Sequence, residues 1–123
     1  MTVEVWKSIP GYEGIYEASS TGRVRSIPRV VIGKHYRAGR KANIARKGVV
    51  LSQSMSPAGY WTVTLSKDGK RSTRRVNILV CAAFNGASTA GMQCRHLNGD
   101  RKDNEAANLA WGTPAENQRD RID

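Results

Sequence analysis

Two short segments near the start of the chain, Tyr16-Glu17-Ala18-Ser19 and Arg23-Val24-Arg25-Ser26-Ile27, alternate in steps of two. That is the period of a half-buried strand, and Ser20-Thr21-Gly22 between them predicts a hairpin. The alternation stops at Pro28. From there to Lys47 the sequence is basic and contains glycine, has little periodicity, and reads as a loop or flexible arm. Val49-Val50-Leu51 predicts a short strand. Tyr60 to Leu65 alternates again and is rich in aromatic and β-branched residues. Lys67-Asp68-Gly69-Lys70 is a hairpin signal, with Arg71 to Val76 pairing back. Asn77 is then placed to cap a helix, Ile78 to Phe84, that ends at Asn85-Gly86. That helix is apolar nearly all round, so it should be buried.

The last third changes pattern once more. Gln93 to Leu97 predicts a short strand, Asn98 to Asn108 a polar loop, and Leu109-Ala110-Trp111 a second strand. Thr113 then stands as an N-cap, with Pro114 at the first helical position and Glu116 at the capping-box position. The whole reads as an α+β protein in three regions. Residues 1–47 hold small hairpins and a basic arm. Residues 48–91 hold a three-stranded antiparallel sheet with a helix across it. Residues 92–123 hold a strand, loop, strand and helix. Trp6 and Trp111 are expected in the core.

Charge changes this picture from a fold to a partner. The net charge is +10, and no acidic residue occurs from Ala18 to Lys67. The acids gather late, at Asp100, Asp103, Glu105, Glu116, Asp120 and Asp123. A one-signed surface repels itself, and a polyanion offsets that repulsion. The expected partner is therefore nucleic acid. No apolar run approaches the roughly 20 residues that span a bilayer, and residues 1–9 have no secretory character. These features point to a soluble, cytoplasmic protein with no membrane partner. Cys81 and Cys94 are too few for a disulfide framework and read as buried small residues in a reducing compartment. No oligomeric state is legible in the pattern.

Three polar side chains in the last region could form a small site: His96 at a strand end, Asn108 closing the loop, and Asn117 in the first turns of the helix. Phosphodiester hydrolysis needs a base for water, a cation for developing charge, and help for the leaving oxygen. Histidine takes a proton at neutral pH. An asparagine oxygen is a hard donor suited to Mg²⁺ or Mn²⁺. Another asparagine can fix an imidazole tautomer. Taken singly, each residue has an ordinary structural alternative: a loop closure, a solvated helix position, a satisfied half-buried histidine.

The surrounding pattern separates these alternatives. Cys94-Arg95-His96-Leu97-Asn98-Gly99-Asp100, then Asp103-Asn104, Asn108-Leu109, Trp111-Gly112-Thr113 and Glu116-Asn117, resembles the HNH homing-endonuclease-like family. Trp6-Lys7-Ser8-Ile9-Pro10-Gly11-Tyr12-Glu13-Gly14, with Tyr16, Ala18-Ser19 and Gly22 to Ser26, resembles the nuclease-associated modular domain found ahead of such nucleases. The middle sheet and helix are similar to three-stranded DNA-binding folds in topology alone. The resemblance implies a ββα-metal fold and a metal-dependent DNA endonuclease that nicks or cuts both strands. It implies a divalent cation, Mg²⁺ with Mn²⁺ as the alternative, and a phage-encoded protein acting in a bacterial host. By the same resemblance His96 is the general base. Asn108 orients the histidine and pins the loop, and Asn117 is the helix-borne metal ligand.

The sequence departs from the family at Arg95, where many members carry an Asp or His that binds metal. Arginine cannot bind a cation, but it can hold the scissile phosphate in a charge-assisted contact. Asp120, one helical turn after Asn117, is a candidate second metal ligand. Asn77 stands where relatives often carry His. DNA contacts are expected from Arg23, Arg25, Lys47, Arg71, Arg74 and Arg75, with Trp61 a candidate for stacking on a base. The competing reading is a DNA-binding module whose nuclease site has decayed. Arg95 favours it, and the intact His96, Asn108 and Asn117 oppose it.

Overall fold

A computed structural model of the chain describes residues 3–37, 40–46 and 48–119. For residues 29–46 and 117–119 it describes the backbone alone. Lys47 and Asp120 lie outside the described residues.

The first sheet has three antiparallel strands in chain order: β1 (Trp6–Ser8), β2 (Tyr16–Ser19) and β3 (Val24–Ser26). The expected hairpin at Ser20-Thr21-Gly22 joins β2 to β3. Ser19 organises that turn, its Oγ accepting the amides of Thr21 and Arg23. The basic stretch expected as a loop is instead an antiparallel hairpin, β4 (Arg29–Arg37) with β5 (Arg40–Arg46). Its register shifts between Ile32 and Tyr36. A bulge of that kind breaks the two-residue alternation by which a strand is recognised.

Residues 49–51 do not join the middle sheet as expected. They run beside β3: Val49 accepts the amide of Ser26, Leu51 donates to Val24, and Val50 bridges Arg25. The third strand of the middle sheet is β6 (Ser54–Met55), pairing with β7 (Trp61–Lys67), which pairs with β8 (Lys70–Arg75). The β7–β8 turn is as expected, with Asp68 and Gly69 both in the left-handed region at φ 53° and 75°.

Helix α1 (Val76–Asn85) follows β8 without a loop. Arg75 remains extended at ψ 132° and takes the cap position itself, so Asn77 is not the cap. Asn77 is buried in the first turn, with Oδ1 unpartnered. The helix is not covered all round either: Ile78 is 42% exposed, while Val76, Leu79, Val80 and Cys81 are buried. Gly86 closes the helix at φ 80°.

The last unit is β9 (Gln93–His96), a single 3-10 turn over Ala106–Asn108, β10 (Leu109–Gly112) and α2 (Pro114–Arg119). The expected capping box forms. Thr113 Oγ1 accepts the amide of Glu116, and Glu116 Oε1 accepts the amide of Thr113 at 3.0 Å.

One apolar cluster joins the three regions. Ile9, Tyr16, Ala18 and Val24 meet Val63 and Leu65 of β7, four residues of α1, and Leu109 of β10. The Tyr16 hydroxyl accepts the amide of Ser66 at 2.8 Å and ties the first sheet to the second. Asn85 Nδ2 donates to the carbonyl of Leu109 and ties α1 to β10. Trp111 packs against the cluster as expected. Trp6 does not: it is half-buried at the face of the first sheet, with the Arg25 guanidinium 4.0 Å from its ring centroid. Cys81 is fully buried and Cys94 partly so, both as free thiols. The Cys94 thiol is held protonated by its hydrogen bond to Cys81 and by burial.

Candidate active site

His96 ends β9, opposite Leu109 of β10, and is 6% exposed. Its Nε2 lies 2.9 Å from Asn104 Oδ1. A carboxamide oxygen only accepts, so Nε2 is the donor of this bond, and the neutral tautomer compatible with it has its lone pair on Nδ1. The ring of Tyr60 lies 6.2 Å away at a tilt of 39°. Two guanidinium groups stand over Tyr60, Arg75 at 4.0 Å and Arg101 at 5.4 Å from its centroid. Two cationic groups therefore flank Tyr60, the ring next to the imidazole, and neither Tyr60 nor Arg101 stood out in the sequence. An aromatic between two distant basic residues carries no signal until the fold brings them together.

The loop from Asn98 to Asn108 is closed by its own carboxamides and carboxylates. Asn108 Oδ1 accepts the amide of Asn98, and its Nδ2 reaches Asn98 Oδ1 and the carbonyl of Asp103, each at 3.0 Å. Asp103 Oδ2 accepts from Asn98 Nδ2 at 2.8 Å, and Asp100 Oδ1 accepts the amide of Lys102. Both ends of the Asn108 carboxamide are thus bonded within the loop, and the imidazole is bonded to Asn104.

Arg95, one residue before the histidine, crosses from β9 to α2. Its Nη1 lies 3.4 Å from Glu116 Oε2, the carboxylate whose other oxygen serves the capping box. Gly112 leaves room for this crossing, since a Cβ there would lie 2.1 Å from Arg95 Cδ. The pair ties α2 against β9. This places the backbone of Asn117, the residue after Glu116, in the same turn of helix beside the strand of His96.

The expected DNA contacts divide by setting. In β8 Ser72 is half-buried, so Arg71, Thr73 and Arg75 share the outward face. Arg74 is exposed on the other face, beside the Tyr12 hydroxyl. Arg23 is bonded to Glu4, and Arg25 to Glu17 at 2.7 Å, both against Trp6. Trp61 is half-buried against the core. Among the described residues no three His, Cys, Asp or Glu side chains gather as a metal cluster, and no helix is long and apolar enough to cross a membrane.

Comparison with known proteins places two family matches along the chain. Residues 4–66 match the NUMOD4 motif, and residues 74–119 match the HNH endonuclease family. The DNA endonuclease I-HmuI of Bacillus phage SP01 is 33% identical over 119 residues, which is 94% of this chain and 58% of that protein. An uncharacterized HNH endonuclease, L247, of Acanthamoeba polyphaga mimivirus is 32% identical, over 98% of this chain and 26% of its own length. A solved structure of DNA binding and cleavage by the HNH homing endonuclease I-HmuI superposes with a TM-score of 0.70 and 31% identity, covering 94% of this chain and 56% of that one. The chain therefore spans little more than half of I-HmuI and about a quarter of the mimivirus protein. The NUMOD4 motif covers half of the chain, which therefore belongs to the NUMOD4 family, and a segment matching the HNH endonuclease family follows it.

Proposed function

We propose that this chain hydrolyses phosphodiester bonds of DNA, with His96 as general base. The observation that carries the proposal is the imidazole itself. It is held at a strand end with Nε2–H on Asn104, so Nδ1 is left as the basic nitrogen. A base in that state takes the proton of the attacking water. Asn108 holds the loop that supplies Asn104. Arg95, paired with Glu116 beside the base, is the candidate to hold the scissile phosphate.

A hard divalent cation, Mg²⁺ or Mn²⁺, would take oxygen donors, and Asn117 would supply one of them, with Asp120 a candidate for another. Arg95 supplies none, and Glu116 is engaged with Arg95 and Thr113. When bound, the cation stabilises charge on the phosphate and the departing oxygen.

In this reading residues 1–47 and 48–91 hold the duplex and residues 92–123 carry the chemistry. Arg71, Arg75 and Arg101 meet the backbone directly. Arg74 on the opposite face of β8, Arg23 and Arg25 from their ion pairs, and Lys47 are further candidates for phosphate contact, and Trp61 stacks only if it leaves its packed position. The viral sources of the relatives fit an enzyme that works inside an infected cell.

The test is supercoiled plasmid incubated with the protein, with and without Mg²⁺ or Mn²⁺, beside His96→Ala. Wild type should nick or linearise the plasmid only with the cation. His96→Ala should lose about 100-fold or more in rate while still shifting the plasmid on a gel. If both proteins shift the plasmid and neither cuts it, the chain is a DNA-binding module with a decayed site, the role Arg95 would then explain.

A further inference from the structure

The turn of the first hairpin reaches the loop that holds the histidine. Gly22 lies at φ 92°, and a Cβ there would lie 3.0 Å from the carbonyl oxygen of Asn104 and 3.1 Å from its Cβ. The amide of Ala106 donates to the carbonyl of Ser20 at 2.9 Å. Gln53 Nε2 holds the carbonyl of Gly22 from the other side at 2.9 Å. Asn104 itself is 6% exposed. The turn of an amino-terminal hairpin therefore packs directly against Asn104, the residue whose carboxamide meets His96.

We propose that Asn104 is a positioning residue for His96, and that the Ser20–Gly22 turn holds Asn104 in place. The amino-terminal module is then part of the catalytic apparatus as well as a means of gripping DNA. The Asn104 oxygen accepts from Nε2–H and selects the tautomer with Nδ1 free. The Gly22 backbone packs against Asn104 closely enough that side-chain bulk must displace it. This inference rests on His96 being the base.

Charged groups near the imidazole come from several elements. Arg75 from the end of β8 and Arg101 from the loop stand over Tyr60. Arg95 of β9 is paired with Glu116 of α2. Asp103, beside Asn104, is bonded to Asn98. All of these are unchanged by substitution at Asn104. A carboxylate in place of the carboxamide keeps the acceptor and favours the protonated imidazole. The base then becomes neutral only at higher pH.

The experiment compares wild type, Asn104→Asp, Asn104→Leu and Gly22→Ala as full chains in Mg²⁺, measuring plasmid cleavage against pH and DNA affinity by gel shift. Asn104→Asp should cleave with the acid limb of its profile moved up by about one pH unit or more. Asn104→Leu should lose about 10- to 100-fold at every pH, and Gly22→Ala should lose rate with little change in affinity. The imidazole nitrogens are also read by NMR in wild type, where the Nε2–H tautomer is expected without reference to activity. An acid limb that does not move in Asn104→Asp, full activity in Asn104→Leu, or an Nδ1–H tautomer overturns the inference. Should Asn104→Leu or Gly22→Ala fail to fold, Asn104→Asp and the NMR measurement still decide it. If His96→Ala cleaves like wild type, the underlying function fails, while the tautomer still tests the hold of Asn104 on the ring.

Discussion

A carboxamide bonded to a ring nitrogen does two things at once: it fixes the ring's rotation and it decides which nitrogen is basic. Asn104 does both for His96, while Asn108, four residues later, is spent on the loop backbone. Arg95 is similarly settled by its surroundings, with Glu116 across the helix and space made by Gly112. Beside the Ser20–Gly22 turn, Glu4 accepts hydrogen bonds from Arg23 and Thr21. The bond to Arg23 first, and that to Thr21 second, hold its carboxyl at about 2 against an ordinary 4.5. A carboxylate whose folded pKa is depressed adds stability above its unfolded value and loses it as the pH falls. The stability difference between wild type and Glu4→Gln should therefore be largest above pH 4.5 and shrink as the pH drops towards about 2. Denaturant unfolding of both proteins across that range checks this, and a difference that ignores pH would contradict it. The pair is near the surface, so salt should weaken the effect.

At the scale of elements, α2 is the clearest case of dependence on a local signal. Its six described residues are too few to stand alone in water. The Thr113–Glu116 box satisfies its first amides, and the Arg95–Glu116 pair ties it to β9. Thr113→Ala should cost about 1 kcal/mol of helix stability. Amide exchange in α2 should quicken, and cleavage should fall because the backbone carrying Asn117 is less well held. Unchanged exchange in α2 would show that docking alone secures the helix. This cap and the two strands before it were legible in the sequence because each depends on neighbours a few residues apart. The hairpin β4–β5 was not, because its bulge interrupts the alternation that marks a strand. Residues 49–51 looked like a strand of the middle sheet, yet they follow β3. Their short apolar run specifies an extended chain but not a neighbour.

At the scale of the whole molecule, the three regions are not independent. The cluster around Leu65 and Val80 takes residues from each. Leu65 is fully buried in β7. Leu65→Ala should cost about 3 kcal/mol and lower the stability of all three regions together. The chain has three tryptophans, Trp6, Trp61 and Trp111, one in each region. Their fluorescence and far-UV circular dichroism should report one shared unfolding transition. Two separated transitions, with only one of them moved by the substitution, would show that the regions unfold on their own.

The sequence by itself determined the excess of positive charge, the family resemblances and most short elements. A basic surface needs a polyanion, a capping box needs only four consecutive residues, and the ordered pattern from Cys94 to Asn117 marks the family. Tertiary structure decided which asparagine meets the histidine, what stands around Tyr60, and where Trp6 lies. The physical reason is distance along the chain. Asn104 and Asn108 are alike in type and close in position, so their roles are separated only by the fold of the loop. That fold is set in part by Gly22, which lies more than seventy residues before His96 in the sequence and packs directly against Asn104 in space.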